Sequence, residues 1–354
     1  MPHDALPYQH NFASDNCAGA HPDVLRALVA ANGGHQDSYG DDNYTHKLQG
    51  IVKSHFGDLA EAFPVFNGTG SNVIALQSMQ PSWGAVICSD CAHLYTAEGA
   101  APERVGALKL LPVTNMQGKI TPAQIRQMGH ALGIVHHAQP TAVTITQCTE
   151  LGTVYTPEQI AAISDAAHSL GMSVHMDGAR LSNAAASLNL PLRALTTDVD
   201  IDVVSFGGTK NGLVFGEAVI VLDPTRSRGL EYIRKFDMQL ASKMRYISAQ
   251  LIALLEGDLW LELATHANEM ARLLRRQIDQ LDGVTITQPT QANSIFATIA
   301  DPVREYLHQH ARFQDWDPVT GEVRWMCAFD TTPDEVNAFA SLIAHALTRE
   351  VVQV

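Results

Sequence analysis

The stretch DVVSFGGTKN, residues 202–211, is the part of this chain that most clearly indicates its fold class. Its apolar start ends at Ser205, and a phenylalanine and two glycines follow before Lys210. This order predicts a strand that runs out into a glycine-rich turn and presents an amine at the edge of an α/β sheet. Ligands of such folds bind at the carboxyl ends of the strands, so we expect Lys210 to lie at a binding site.

A second stretch, SVHMDGAR at residues 173–180, also reads as a short strand and carries Asp177 and Arg180 at its end. Taken alone, a loop lysine is usually solvated and an Asp-Gly pair usually marks a turn. Two strand ends that each combine charge with glycine are harder to explain in this way. A lysine that can form a Schiff base, with an upstream carboxylate to pair with a pyridinium nitrogen, is typical of enzymes that use pyridoxal phosphate (PLP). The two stretches therefore indicate Lys210 and Asp177 for these roles.

The composition limits the classes of function. At 354 residues the chain exceeds the usual size of one core, and its hydrophobic fraction of 46% is ordinary for a globular protein. No apolar run approaches the ~18 residues of a membrane span, and the N-terminal MPHDALPYQHN lacks the features of a signal peptide. A net charge of −14 disfavours binding to nucleic acid or to an anionic membrane. We expect a cytoplasmic protein of two domains.

The cysteines indicate neither a disulfide framework nor a metal centre. There are five, an odd number, and they are widely scattered, which favours a reducing compartment. Cys88 and Cys91 form a Cys-x-x-Cys pair, but no second pair and no spaced histidine pair completes a zinc site in the sequence. We therefore expect no required metal.

The middle of the chain alternates strand and helix signals. Three helices are expected to begin with a threonine, a proline and then Gln or Glu three residues after the threonine, which is a capping box: Thr121, Thr156 and Thr332. Apolar runs that read as strands, the second and third of them as buried strands, lie at 61–66, 84–88, 108–113, 142–147 and 217–222. This alternation predicts a mainly parallel sheet between helices.

The pattern changes after residue 223. Residues 228–282 read as long helices, and from residue 284 onward strands and helices mix in a smaller unit. We predict an α/β protein with a large domain at residues 1–245, which includes the N-terminal segment, and a small C-terminal α+β domain at residues 246–354. No Pro/Ser-rich linker separates the two, so we expect them to share a helix.

Further residues supply groups that bound PLP would need. Gly68, Thr69 and Gly70 lie in a predicted strand–turn–helix, where backbone N–H groups and the helix N-terminus can bind a phosphate. The hydroxyls of Ser205 and Thr209 are possible additional donors.

An amino-acid substrate adds a need for a carboxylate clamp. Arginine suits it because its planar fork binds a carboxylate bidentately, which makes Arg180 and Arg324 the candidates. His93 is the candidate for a flat ring above the cofactor.

The chain resembles a known family over nearly its whole length. It is similar to the low-specificity L-threonine aldolases and the phenylserine aldolases, in the β-eliminating lyase group of fold-type I PLP enzymes. HMDGAR (175–180) followed by SFGGTKNG (205–212) is the most specific part of the resemblance. The other matching stretches are NFASDN (11–16), SYGDDNYT (38–45), FNGTGSN (66–72), CAHLYTAEGAAPE (91–103), VTITQCTELGTVY (143–155) and RWMCAFDT (324–331).

The resemblance implies PLP as the cofactor and a role for each matching residue. Lys210 matches the lysine that binds the cofactor, Asp177 the partner of the pyridinium nitrogen, and His93 the stacking histidine. Gly68 and Thr69 match residues of the phosphate loop. Ser14, Arg180 and Arg324 match the residues that bind the substrate carboxylate.

The sequence departs from the family after the strand that contains VTITQ. Many relatives have a second active-site histidine there, whereas this chain reads Gln147, Cys148, Thr149 and Glu150. The group that assists at a substrate β-hydroxyl is therefore open. His93, or a water that it orders, is the favoured base, because an imidazole titrates near neutral pH.

The reaction implied by the resemblance is retro-aldol cleavage of an L-β-hydroxy-α-amino acid to glycine and an aldehyde, with L-threonine, L-allo-threonine and phenylserine as candidate substrates. Two alternatives stay open: another PLP enzyme on the same scaffold, such as an aminotransferase, racemase or β-eliminating lyase, and a scaffold without activity.

The family also implies a homodimer or homotetramer with shared active sites. Residues 236–250 combine apolar side chains with Lys243 and Arg245, which suits an interface core. The same composition would also suit a buried joint between the two domains of one chain.

Overall fold

The computed structural model describes residues 10–352. The expectation that the N-terminus is not a signal peptide rests mostly on residues 1–9, which lie outside the described residues. The described strands are β1 (His10–Asn11), β2 (Glu61–Val65), β3 (Gly84–Ser89), β4 (Lys109–Val113), β5 (Gln139–Thr146), β6 (Ser173–Gly178), β7 (Val203–Gly207), β8 (Glu217–Val221), β9 (Thr285–Ile286), β10 (Ser294–Thr298), β11 (Ala311–Arg312), β12 (Gln314–Asp317) and β13 (Glu322–Met326).

The described α-helices are α1 (Pro22–Ala31), α2 (Asn43–Phe56), α3 (Gly68–Ser78), α4 (His93–Thr96), α5 (Ala101–Arg104), α6 (Pro122–Met128), α7 (Pro157–His168), α8 (Leu181–Leu188), α9 (Leu230–Phe236), α10 (Arg245–Leu255), α11 (Leu259–Ile278), α12 (Asp301–His308) and α13 (Pro333–Val352). Short 3-10 helices lie at Asp15–Cys17, Gly129–Ala131, Leu192–Leu195, Thr197–Val199 and Thr209–Asn211.

The large sheet has seven strands in the order β2-β8-β7-β6-β5-β3-β4. Only β8 runs against its neighbours in this sheet, since it pairs antiparallel with both β2 and β7 while the other pairs are parallel. Every residue of β3, β6, β7 and β8 is buried. Burial on both faces is expected when helices cover both sides of a sheet. The predicted α/β class with a mainly parallel sheet is confirmed.

The strand β4 differs from the prediction of a buried strand. It pairs with β3 alone and forms an edge of the large sheet. Leu110 is buried, but Lys109 and Pro112 are exposed. Proline has no N–H for a ladder and is tolerated at such an edge.

The three predicted capping boxes are all present. The Thr121 side chain accepts the backbone N–H of Gln124, whose side chain accepts the N–H of Thr121, and Thr156 and Gln159 bond in the same way. At the last helix, Thr332 N donates to Glu335 Oε2 at 2.7 Å, and Glu335 N donates to Thr332 Oγ1 at 3.2 Å. Each box satisfies two backbone donors that a helix N-terminus would otherwise leave free.

The C-terminal part contains a second, antiparallel sheet with the order β12-β13-β10-β9. The first strand of the described chain, β1, pairs in parallel with β11, so the N-terminal segment lies on this unit. Phe12, Trp325 and Phe339 are fully buried together in its core. This contact brings residues 13–16 close to β13.

The side chains of α10 pack in the larger core rather than in the smaller one. Ile247, Leu251 and Leu254 belong to the cluster that fills the space beside the seven-stranded sheet, whereas Met270 and Leu274 of α11 belong to the smaller core. Trp260 and Leu263, nearer the start of α11, belong to the larger core, so this helix contributes to both cores. A domain division at residue 246 stays a prediction.

None of the helices within residues 10–352 is both long enough and apolar enough to cross a membrane.

Candidate active site

The carboxyl ends of β5, β6 and β7 open into one cavity. Its volume is about 710 Å³, and it is closed on one side by the N-terminus of α3 and on another by β12 and β13. It is lined by nearly all of the predicted site residues: Ser14, Gly68, Thr69, His93, Asp177, Arg180, Lys210 and Arg324. Parallel strands place their carboxyl ends at the same edge of the sheet, which explains why residues so distant in sequence lie close together here.

Lys210 lies on the short 3-10 helix that follows β7. Its amine forms no ion pair with any described residue, and its pKa is lowered, first by burial and then by the charge of Arg180. The preceding turn passes so close to the end of β6 that a Cβ on Gly207 would come within 2.3 Å of the Ala179 carbonyl oxygen. A glycine at position 207 is therefore required for the turn to carry Lys210 to this position.

A buried glutamate fixes the turn that carries Lys210. Glu217, at the start of β8, accepts the backbone N–H of Gly208 at 2.6 Å. Burial raises the pKa of Glu217 to about 7. This carboxyl lines the cavity beside the amine, and the sequence analysis did not identify it.

Asp177 lies at the end of β6 and is buried. Its Oδ1 accepts the N–H of Ala179 at 3.0 Å, and its Oδ2 accepts the Nδ2–H of Asn72 at 2.9 Å. Two donors thus fix the orientation of the carboxylate without neutralising it.

The glycine-rich loop leads directly into α3. Asn67 is the N-cap, and its side chain accepts the N–H of Gly70 at 2.8 Å. The N–H of Gly70 is therefore already used, and the amides of Gly68 and Thr69 remain as the free donors of the first turn within the described chain. Ser71 Oγ is buried beside them and has no hydrogen-bond partner among residues 10–352.

Arg180 is held by a partner that the sequence analysis missed. Its Nε and Nη2 donate to the two carboxylate oxygens of Asp15 at 2.6 and 2.9 Å, and the side chains of Arg180 and Asp15 are only 14% and 1% exposed. Asn293 also donates to Asp15, at 3.1 Å. One edge of the Arg180 fork is therefore already occupied by a carboxylate.

Arg324 has no such partner. Its Nη2 donates to the carbonyl oxygen of Ala13 at 3.1 Å, and its guanidinium lies 5.3 Å from the centre of the Trp316 ring. Its Nε is buried without a hydrogen bond, and no carboxylate within residues 10–352 forms an ion pair with it. Burial, followed by the charge of Arg180, lowers its pKa to about 10. A half-buried cation without an ion-pair partner is the group in this cavity best suited to bind a carboxylate.

Ser14 lines the cavity and is the N-cap of the 3-10 helix Asp15–Cys17. Its Oγ accepts the N–H of Asn16 at 3.2 Å and lies 3.3 Å from Asp15 Oδ1. Ser14 therefore borders the Arg180–Asp15 pair.

His93 begins the short helix α4 and borders the cavity. Its Nδ1 lies 3.0 Å from Glu98 Oε1. The hydrogen bond to Glu98 raises the pKa of His93, and burial opposes that rise.

Glu150 lies in the stretch after β5 where the family resemblance led us to expect a second histidine. Its Oε1 accepts the backbone N–H of His93 at 2.8 Å and the hydroxyl of Thr146 at 2.7 Å. Burial raises the pKa of Glu150 to about 7. The side chain therefore fixes the start of α4.

Comparisons with known proteins agree with this geometry. Residues 11–302 match the model of the beta-eliminating lyase family. The chain belongs to the beta-eliminating lyases. It is 41% identical to a low specificity L-threonine aldolase from a Pseudomonas species, over 93% of this chain and 96% of the relative.

Two solved structures share the fold of this beta-eliminating lyase. A threonine aldolase from Leishmania major covers 96% of this chain and is itself covered fully, with a TM-score of 0.90 and 26% identity. A protein from Corynebacterium diphtheriae that is provisionally named a PLP-dependent beta-cystathionase has a TM-score of 0.70 at 16% identity, with 93% of this chain and 90% of that one covered, and indicates the fold alone. The predicted family and the predicted fold-type I architecture are confirmed.

The residues of the cavity fit PLP. A half-buried amine without an ion-pair partner, a fixed carboxylate and two free backbone amides at the N-terminus of α3 match the aldehyde, the pyridinium nitrogen and the phosphate of that molecule. The orphaned hydroxyl of Ser71 supplies a further donor. Within the described part of the chain, no group of three or more His, Cys, Asp or Glu side chains is arranged to hold a metal ion.

Proposed function

We propose that this beta-eliminating lyase is a PLP-dependent aldolase that cleaves L-β-hydroxy-α-amino acids to glycine and an aldehyde. The substrates would be L-threonine, L-allo-threonine and phenylserine. The observation that carries the proposal is the unpaired cation Arg324 in the same cavity as the unpaired amine Lys210 and the fixed carboxylate Asp177. The names of the relatives support it, since the Pseudomonas and Leishmania proteins are both named threonine aldolases.

The residues of the chain divide the work of binding the cofactor. When bound, PLP supplies an electron sink for the pair that stays on Cα after the Cα–Cβ bond breaks. Lys210 would hold its aldehyde carbon through the amine, Asp177 would face the pyridinium nitrogen, and the amides of Gly68 and Thr69 would bind the phosphate. The lowered pKa of Lys210 favours the neutral, nucleophilic form of the amine.

The substrate is oriented by its carboxylate. Arg324 would bind it, because its charge has no other anion and its Nε is unsatisfied. Arg180 would add a second positive charge nearby, although its fork is engaged by Asp15. This clamp would place the β-hydroxyl on the side of the cavity that His93 borders, where His93 would take up the hydroxyl proton.

We expect Arg324→Ala to raise KM strongly while leaving the bound cofactor in place. Loss of a charge-assisted, bidentate bond costs about 2–4 kcal/mol, or roughly 30- to 900-fold in KM if KM follows substrate binding. Steady-state kinetics with L-threonine measure this, with Arg324→Lys separating the charge from the fork.

Arg193→Ala is the matched control, because Arg193 is exposed and pairs with Asp198. An Arg324→Ala enzyme with the wild-type KM would reduce Arg324 to a structural residue of β13.

We further propose that the active unit is a homodimer or homotetramer. An apolar surface lies beside the phosphate loop and comprises Phe66, Val214, Phe215, Phe236 and Met238, which are 37%, 44%, 37%, 77% and 77% exposed. The rings of Phe66 and Phe215 stack at 6.4 Å. A surface of this kind favours burial against a second copy of the chain.

The predicted interface stretch 236–250 is partly surface and partly core. Phe236 and Met238 are exposed, whereas Ile247 is buried in the large core. Lys243 is exposed, and Arg245 donates to the carbonyl oxygen of Gly34 at 3.1 Å. Shared active sites would require this edge of the chain to approach the cavity of a neighbour.

The oligomer has a hydrodynamic test. Sedimentation of the wild type at assay concentration should give at least twice the chain mass of 38.4 kDa. Phe236→Glu with Met238→Glu should dissociate the assembly and lower its activity, whereas Val135→Glu, at an exposed site elsewhere, should do neither. A fully active monomer of 38.4 kDa would contradict the proposal.

Shared sites can then be tested by mixing Lys210→Ala with Arg245→Ala, which should itself lose activity if Arg245 completes a neighbour's site. Lys210→Ala and Arg245→Ala subunits should recover activity in hybrids if the two residues serve one site from different chains. Hybrids as inactive as their parents would show that Arg245 does not complete a neighbour's site.

The proposed reaction is tested by its products. Purified protein with PLP should show the absorption of the bound cofactor near the visible edge. It should release glycine from threonine and from phenylserine. Ammonia or a keto acid in place of glycine would indicate a different PLP enzyme.

A further inference from the structure

Four cavity residues form one continuous chain of hydrogen bonds. His93 Nδ1 lies 3.0 Å from Glu98 Oε1, Asn72 Nδ2 lies 2.9 Å from the same oxygen, and Asn72 Nδ2 also lies 2.9 Å from Asp177 Oδ2. The chain thus joins the imidazole to the predicted partner of the pyridinium nitrogen. Glu98 has no role in the function proposed above, and the role of Asn72 there is limited to orienting Asp177.

The direction of each hydrogen bond follows from its neighbours. Asn72 lies between two carboxylates, so only its NH2 group can face both of them, and it donates to Glu98 and to Asp177. Glu98 Oε1 is therefore an acceptor. The Nδ1 of His93 must then donate to that oxygen, which puts the proton of the neutral imidazole on Nδ1.

The two ends of the imidazole have different surroundings. The Glu98 side chain is fully buried, whereas the His93 side chain is 44% exposed and borders the cavity. The Nε2 of His93 makes no hydrogen bond to any described residue. With the proton on Nδ1, the free lone pair of the ring belongs to Nε2.

We propose that Glu98 is the positioning residue that makes His93 a base. By accepting the Nδ1–H, it leaves the Nε2 lone pair to take the proton of the substrate β-hydroxyl, and its charge then stabilises the imidazolium. Asn72 holds Glu98 in place and keeps its oxygen an acceptor. This inference rests on the proposed aldolase function.

The proton transfer balances without a further reactant. The O–H bond of the β-hydroxyl breaks and an Nε2–H bond forms on His93. The electron pair of the O–H bond becomes the second bond of the aldehyde carbonyl, and the pair of the Cα–Cβ bond stays on Cα. Imidazolium and carboxylate then face each other across the His93–Glu98 hydrogen bond, as in other base–carboxylate pairs.

Several charged groups shift the pKa of His93, and the direction in which a change at Glu98 would shift it can be stated. Glu98 and Asp177 raise the pKa of the imidazole, Lys210 lowers it, and Glu150 binds only the backbone N–H. Removal of the Glu98 charge should lower the pKa of His93. The neutral base would then persist to lower pH, but it would be a weaker base.

The first test is spectroscopic and independent of turnover. The full chain is labelled with 15N-histidine, loaded with PLP, and His93 is assigned by its loss in His93→Asn. The wild type should carry the neutral proton on Nδ1. Glu98→Gln should keep that tautomer, since the amide oxygen still accepts, but should titrate at lower pH, whereas Glu98→Leu should move the proton to Nε2.

The second test is kinetic. Glu98→Gln should lower kcat by about 10- to 100-fold, a part of the ~10²–10⁴-fold that a general base contributes. The acidic limb of the kcat/KM profile should move to lower pH with little change in KM. The matched control is Glu103→Gln, at an exposed glutamate five residues along the chain, which should keep the wild-type profile.

Two results would overturn the proposal. One is a wild-type His93 with its neutral proton on Nε2. The other is a folded Glu98→Gln enzyme whose His93 titration and acidic kinetic limb both match the wild type, which would leave Glu98 a structural residue. If the wild type cleaved no β-hydroxy-α-amino acid, the proposed function would fail, while the tautomer would still report on the pair.

Discussion

Lys210→Ala should have no turnover above background and no absorption from a covalently held cofactor. Lys210 is the lysine of the cavity lining, and its amine forms no ion pair with any described residue. Alanine has no amine, so the variant lacks the nucleophile that forms the covalent bond, and we expect no residual turnover by this route. The assay is release of glycine from L-threonine, together with the absorption spectrum of the protein with PLP.

Lys119→Ala is the matched control for this variant. Burial also lowers the pKa of Lys119, but its Nζ donates to the carbonyl oxygen of Val154 at 2.7 Å and it lies outside the cavity lining. We expect Lys119→Ala to keep the spectrum and most of the activity. Borohydride reduction of the wild type followed by peptide mapping should label Lys210, and a label on any other lysine would refute the assignment.

Asp177→Asn should lose far more activity than stability. The neutral amide leaves the pyridinium nitrogen without a negatively charged partner, and loss of one member of a buried ion pair costs about 3–5 kcal/mol, or roughly 160- to 5,000-fold in kcat. The fold loses less. Asn can keep one of the hydrogen bonds from Ala179 and Asn72, so we expect the free energy of unfolding to fall by about 1–3 kcal/mol.

The two effects are separated by measuring kcat and urea unfolding on the same preparation. Asp165→Asn, at an exposed position of α7, controls for the general effect of the substitution and should change neither. An Asp177→Asn enzyme with a near-normal rate would remove Asp177 from its role, and Asp177→Glu shows whether charge without the same geometry is sufficient.

The sequence predicted those parts of the site that lie at strand ends. Lys210 and Asp177 follow apolar runs and carry glycine beside them, and parallel strands bring such ends together. The capping boxes were equally visible, because all their groups lie within four residues. The orientation of β8 could not be predicted, since an apolar run such as EAVIVL has no direction of its own.

The partners of the charged residues could not be predicted. Asp15 pairs with Arg180 across 165 positions of sequence, and Asn72 reaches Asp177 across 105. Neither spacing has a local signal, because tertiary packing alone sets the distance. The distinction between a paired Arg180 and an unpaired Arg324 therefore required the structure.

Identifying the substrate bond that breaks tests the proposed aldolase function most directly. L-threonine labelled with 13C at both Cα and Cβ is incubated with the PLP-loaded protein and followed by NMR. We predict that the one-bond carbon–carbon coupling disappears, with one label in glycine and an equal amount of the other in acetaldehyde, and that Lys210→Ala leaves the coupled pair intact. A product that retains the coupled pair, such as a keto acid formed with ammonia, would contradict it.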